Sequence, residues 1–436
     1  MEVSNNINYS NPQIINGFYK FNNVNASNSN QTVSDNDTLF YFEIPWTQAI
    51  NFSKCRLEFE AEVAAAGAAT VNTLLSCVSP ISRVEVKTAS GQTIMNYSRA
   101  QAFARTISDR LKNSDNSFSS TTNARFIQTY NAATINAVTK VDVYDYYNGA
   151  VNSTTTVDAG GGAIGQYNNA LISTNSQIGF FSYSVLLSDV IGGIFWLQKD
   201  VLLTEALYVN LYLNNACVYE ATTGSGGAVT TAQKDYKTSA CFIKVAYQQW
   251  TAVNMAIKQA INSPEGLIIP FPYISNFSFN DASSAAAHTV NISLRIYNMI
   301  GNRLRRIYLI PSSLAKSAQN LQTGTSYLTG ATNIQFFMDS NLITQYDNTK
   351  YENLLNWKLS HKYWNNTLQR FNFFLPIYFY DQDEENDNLN EGLPVNSDTI
   401  VSFICNNSGN SISASYDVFA EGVKNLVINQ NGVTII

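Results

Sequence analysis

The chain has 436 residues, 45% of them apolar, which provides for a large core and excludes a disordered protein. Charged residues make up only 13%, about half of the roughly 25% usual in globular proteins. With 26 Lys and Arg against 32 Asp and Glu, the net charge of −6 argues against a protein that wraps nucleic acid.

Asn, Ser, Thr and 25 Tyr fill the gap left by charge, a vocabulary suited to surfaces that face other copies of the chain. The opening residues, Met1-Glu2-Val3-Ser4-Asn5-Asn6, have neither a basic nor an apolar signal region. No apolar run reaches the ~18 residues of a membrane-spanning helix. Residues 1–34 read as an N-terminal arm. From Lys54 to Val63 the pattern alternates, with Cys55, Leu57, Phe59, Ala61 and Val63 on one face and Lys54, Arg56, Glu58, Glu60 and Glu62 on the other. That is a half-buried strand.

Arg83–Lys87 repeats the alternation, and Ser98-Arg99-Ala100-Gln101 then forms a capping box for a helix carrying Phe103, Ile107 and Leu111 at helical spacing. Residues 112–177, rich in Asn, Thr, Ser, Ala and Gly, read as an elaborated surface loop with a small hairpin around 141–147. Further strands are expected at Leu207–Leu213, Val290–Ile296 and Ile412–Ala420, with helices after Pro311-Ser312 and from Asp347. Short strands between Asn, Gly and Ser turns, with few helices, indicate an all-β sandwich or barrel.

The order of these elements occurs twice. Val84 and Val86 lead to Ile94-Met95-Asn96-Tyr97-Ser98, as Ile334 and Phe336 lead to Ile343-Thr344-Gln345-Tyr346-Asp347. Val209–Asn215 is matched by Val401–Asn407, each an alternating strand ending in Asn-Asn. This reads as an internal duplication, with the extra length of the first copy lying in 112–177 and the boundary near 250–261.

No catalytic, cofactor-binding or metal-binding residue is assigned. Gly160-x-Gly162-x-x-Gly165 has the spacing of a dinucleotide fingerprint but lacks the buried strand before it and the helix after it. His288 and His361, the two histidines, have no Cys, Asp or Glu at ligand spacing. The acidic run 381–387 lacks the Gly and the final Glu of a calcium loop and reads as a solvated connection. Arg303, Arg305 and Arg306 form the one basic cluster, and an ion pair between subunits fits them better than phosphate does. The five cysteines (Cys55, Cys77, Cys217, Cys241 and Cys405) are odd in number and set mostly in strand-like runs, so reduced thiols in a reducing compartment are expected.

In layout the chain resembles the double jelly-roll major capsid proteins of icosahedral double-stranded DNA viruses, of the virophage, polinton-like virus and tailless phage type. Three stretches carry the resemblance: Ile81–Val86 with the Ser98 helix, Ile191-Gly192-Gly193-Ile194 through Leu207–Asn215, and Arg305–Ser313. The resemblance implies two tandem eight-stranded jelly-roll β-sandwiches with a few short helices, at 35–252 and 253–436. It further implies a structural protein, not an enzyme, without cofactor, whose homotrimers form pseudo-hexagonal capsomers of a virus shell. Its implied partners are other copies and penton and minor capsid proteins, with contact to an internal membrane left open and no direct nucleic-acid contact. Its implied place is the virion capsid, after synthesis inside the host cell. Two other classes share the alternating pattern, a carbohydrate- or receptor-binding β-sandwich and an outer-membrane barrel.

Overall fold

The computed structural model describes residues 19–27, 31–33, 37–63, 71–72, 81–103, 143–145, 150–152, 179–214, 219–223, 229–233, 236–280, 288–312, 331–346, 375–378, 392–407 and 415–436. Eight of the described strands make the two main sheets of the first half: β1 (Tyr19–Asn25), β2 (Thr38–Ile44), β3 (Arg56–Val63), β4 (Ile81–Thr88), β5 (Thr93–Ser98), β6 (Gly179–Leu186), β7 (Leu207–Leu213) and β8 (Tyr236–Gln248). Eight more follow: β9 (Leu267–Asn280), β10 (His288–Arg295), β11 (Arg303–Ser312), β12 (Ala331–Met338), β13 (Asn341–Tyr346), β14 (Leu375–Tyr378), β15 (Ile400–Asn407) and β16 (Ser415–Asn429).

The first half pairs in the orders β1-β8-β3-β6 and β2-β7-β4-β5, all antiparallel. The second half pairs as β9-β16-β11-β14 and β10-β15-β12-β13, the same two orders with every label raised by eight. Each half is therefore a jelly roll, in which strands distant in sequence lie side by side, β1 with β8 and β2 with β7 in the first half. The alternation legible in the sequence supplies the inward faces. Phe40, Phe42, Cys55, Leu57, Val84, Val86, Val209, Leu211 and Ile243 are buried in the first roll, and Ile292, Ile307, Phe336, Val401, Phe403, Val418 and Ala420 in the second.

The duplication holds at the level of register. Val84 lies opposite Tyr97, and Ile334 lies opposite Tyr346. The second sequence match joins the right strands two residues out of step. Val209 faces Val86, whereas Phe403 faces Phe336, so Phe403 and not Val401 is the counterpart of Val209. A slip of two residues keeps every side chain on its own face, which is why the hydrophobic pattern could not register it.

Other expectations need correcting. The stretch read as an arm to residue 34 contains β1, which pairs from Tyr19↔Gln248 to Asn25↔Phe242. Its residues Tyr19 and Val24 are half-buried and the rest exposed, so it carries no apolar alternation. The strand expected from Lys54 begins at Arg56, after a 3₁₀ turn at Phe52–Lys54. The capping box does not form either. Arg99 adopts φ 60°, the short helix α1 (Ala100–Phe103) starts after it, and Ser98 turns to Asn276, whose Oδ1 accepts its N–H at 3.0 Å. Ile107, Leu111, Cys77, Cys217, His361, the acidic run 381–387 and the two other expected helices lie outside the described residues.

Between the rolls runs a helix that the sequence reading marked only as a boundary, Thr251–Ile261, burying Ile257 and Ile261. Its Asn254 clasps the first roll, accepting the N–H of Ala49 at 2.9 Å and donating to the carbonyl of Gln248 at 2.8 Å. Cys55 and Cys241 are buried free thiols, and burial pushes the Cys55 thiol up to about 12.

One close approach holds the second roll's sheet in shape. A Cβ on Gly422 would stand 2.7 Å from the Arg303 carbonyl oxygen and 2.8 Å from the Met299 sulfur. Gly422→Ala is expected to lower stability by about 1–3 kcal/mol, read as a lower denaturant midpoint in equilibrium unfolding. An unchanged midpoint would mean that β11 and β16 are packed less tightly than described.

Candidate functional site at the seam between the rolls

Strand β16 is buried on both faces from Asp417 to Val423. Val418 and Ala420 point into the second roll's own core, as the alternation predicts. Asp417, Phe419 and Glu421 point the other way, and that outer face of the sheet is covered by the first roll. The covering elements are the end of β5, the helix α1 and a 3₁₀ turn at Gly193–Trp196.

Aromatic rings fill the seam. Phe103 packs on Phe419 with centroids 5.0 Å apart, and also reaches Trp196 at 6.1 Å and Tyr308 at 6.3 Å. Tyr97 meets Phe419 edge-on at 6.3 Å. The Tyr97 hydroxyl donates to the Ile191 carbonyl at 2.7 Å, and burial raises its ionisation well above the usual phenol range. Gly192 and Gly193, which contribute to the sequence resemblance, turn the chain here with φ 69° and 60°. Side chains at these two positions would collide with Trp196 and Met95.

Two carboxylates are sealed into the seam. Asp417 accepts from Arg99 at 3.1 Å (Nε) and 2.9 Å (Nη2), and from the Ser278 hydroxyl at 2.7 Å. Glu421 accepts from Arg306 Nη2 at 2.9 Å, Arg305 Nη1 at 3.4 Å and the Tyr308 hydroxyl at 3.3 Å. A bulge between Leu304 and Arg306 allows two consecutive arginines to reach one carboxylate, and both are buried. Placing charges where water is excluded demands this pairing. Elsewhere, Glu205 of the first roll accepts from the Ser90 hydroxyl at 2.9 Å and from the Val433 N–H of the second at 3.2 Å.

The basic cluster of the sequence reading is thus divided. Arg305 and Arg306 pair within the chain with Glu421, correcting the expected contact between subunits, while Arg303 is exposed and donates to the Gly392 carbonyl at 3.2 Å. The distant Glu421 and Asp417 were invisible as partners because nothing in a linear pattern marks an outward strand face as covered. His288 opens β10 opposite Asn407. The Gly160 fingerprint lies outside the described residues, and among those described no group of three or more His, Cys, Asp or Glu could hold a metal ion.

Arg99→Ala and Glu421→Ala each leave a buried charge without its counter-charge. Each is expected to lower stability by about 3–5 kcal/mol, measured by denaturant unfolding, and more than Arg303→Ala does. Equal losses in all three would deny the seam its special weight.

No family model matches the chain, and no curated protein matches it in sequence. Solved structures do match. The chain is similar to a chain of the Sputnik virophage structure, with TM-score 0.60 and 12% identity over 96% of this chain and 88% of that one. It is similar to the capsid of the virus PBCV-1, with TM-score 0.54 and 10% identity over 96% of each. It is also similar to the mavirus major capsid protein, with TM-score 0.52 and 12% identity over 95% of this chain and 89% of that one. The fold is that of the double jelly-roll viral major capsid proteins.

Proposed function

We propose that this chain is a major capsid protein whose trimers tile the shell of an icosahedral virus. The observation that carries the reading is the sheet order repeated over two rolls, a layout shared along nearly the whole chain with viral capsid structures. Two rolls per chain and three chains per capsomer would give six similar blocks in a pseudo-hexagonal tile, with residues 19–250 and 262–436 as the blocks and the helix between them as connector. The low charge of the chain suits wide contacts between copies, and its acidity suits a shell that does not adhere to packaged nucleic acid. The role is structural, in the virion, after synthesis inside the host cell. Penton and minor capsid proteins would join the shell.

Residues 112–177 read as the outward ornament of the tile. They lie in the connection between β5 and β6, which spans 99–178 against 347–374 for its counterpart between β13 and β14. Its described strands, Val143–Asp145 and Ala150–Asn152, pair only with each other. The β3–β4 and β7–β8 connections meet at the loop end of the first roll, where Val71–Asn72 pairs with Tyr219–Thr223 and that strand with Val229–Gln233. A jelly roll tolerates such growth because long loops cost little more closure entropy than short ones.

The purified protein is expected to have a mass of about 145 kDa by light scattering, three copies in a closed ring, against 48.3 kDa for one chain. A monomer at high micromolar concentration would overturn the capsomer reading. Replacing residues 118–172 by a short Gly-Ser bridge is expected to leave folded trimers with an unchanged melting temperature. Unfolding on that deletion would place the segment in the core.

A further inference from the structure

Strand β1 and its counterpart β9 hold the same place in their sheets, yet they are fixed by different means. Along β9, Leu267, Ile269, Phe271, Tyr273 and Ile274 are buried. Along β1 only Tyr19 and Val24 are even half-buried, and Phe21 is 47% exposed. Side-chain packing therefore contributes little to β1, whose backbone ladder lies at a sheet edge, where local opening is easiest.

A buried lock at one end of the strand makes up for this. Asp200 is 1% exposed. Its Oδ1 accepts from the Tyr19 hydroxyl at 2.6 Å and from Asn51 Nδ2 at 3.0 Å, and its Oδ2 accepts from Gln248 Nε2 at 2.8 Å. Asn51 Nδ2 also donates to the Tyr19 oxygen at 3.1 Å, and the Lys54 ammonium lies over the Tyr19 ring, 5.4 Å from its centroid. Burial and the neighbouring carboxylate raise the ionisation of Tyr19 well above the usual phenol range, so its hydroxyl stays a donor. Among the described residues no cation forms an ion pair with Asp200, so its charge depends on these three neutral donors.

The lock continues into the helix between the rolls. Gln248 Oε1 accepts the Trp250 N–H at 3.0 Å, and the Gln248 carbonyl accepts from Asn254 Nδ2 at 2.8 Å. Asn254 also accepts the N–H of Ala49, two residues before Asn51. The helix thus sets Asn51 and Gln248, and β1 supplies only Tyr19. The second roll differs here: counted back from Phe403, the counterpart of Val209, the place of Asp200 is taken by Pro394, which is exposed.

We infer that β1 is a strap, closed by Asp200 on a frame set by the connecting helix, which opens as a unit while the rest of the first roll stays folded. Opening withdraws the Tyr19 hydroxyl from Asp200 and parts the ladder from Tyr19↔Gln248 to Asn25↔Phe242, leaving that edge of β8 unpaired.

Hydrogen exchange on the full chain tests this, with each variant compared with the parent at equal oligomeric mass. In the parent, the amides of residues 19–25 are expected to exchange faster than those of 56–63 and 415–429, the mark of local opening. Tyr19→Phe keeps the ring and removes the donor. It is expected to speed exchange in 19–25 by about tenfold or more, the factor for a lost hydrogen bond to a charged group, with 56–63 and 415–429 unchanged. Asp200→Asn is expected to do the same. Asn254→Ala, at a residue with no hydrogen bond to β1, is expected to speed 19–25 as well, through Gln248 and Asn51. If Asp200→Asn fails to fold, the other two variants decide. Unchanged exchange of 19–25 in Tyr19→Phe, or equal acceleration across the whole roll, would overturn the strap. An Asn254→Ala variant that leaves 19–25 as in the parent would overturn its tie to the helix.

Discussion

The outer face of β16 sets the constraint on which the rest of the molecule depends. Asp417 and Glu421 lie there with 0% and 1% of their surface exposed. A carboxylate removed from water to that degree is tolerated only with a cation and hydrogen-bond donors in place. Glu421 finds them within its own roll, in Arg305, Arg306 and Tyr308. Asp417 finds its cation in Arg99, from the other roll. Folding of the second roll's sheet and docking of the first roll are thereby coupled, because the docking that takes Asp417 out of water also supplies the Arg99 cation it then needs.

Arg99 shows how local preference yields to this demand. A left-handed backbone at a non-glycine residue costs on the order of 1 kcal/mol, and the capping box that Ser98 could have formed is given up. In return the guanidinium reaches Asp417 with two nitrogens, and Ser98 meets Asn276 on β9. The aromatic cluster around Phe103 and Phe419 then excludes water from the ion pairs and strengthens them. The buried apolar side chains form one contiguous cluster that runs from the first roll into the second. The two rolls share one core.

Duplication with divergence explains why two similar rolls behave differently. The strand order and the inward faces are held alike by the need to close each sandwich. The connections and outward faces are released from that need, and there the copies part: long loops on the first roll, a buried charged face on the second, an exposed edge strand on the first.

The sequence by itself determined what depends on near neighbours along the chain. Cys55, Leu57 and their alternating polar companions announced a half-buried strand. The Ile-x-x-Tyr repeats at 94–97 and 343–346 announced the duplication, and the layout resembled that of the double jelly-roll capsid proteins. Only the tertiary structure decided what depends on distant groups. It put β1, a polar stretch with no apolar period, into a sheet because Phe242–Gln248 offered it a ladder of backbone hydrogen bonds, which any sequence can use. It turned Arg305 and Arg306 inward because Glu421, far along the chain, was brought beside them. And it buried both faces of β16, because whether a strand's outer face meets water is set by what packs on it and leaves no period of its own in the sequence.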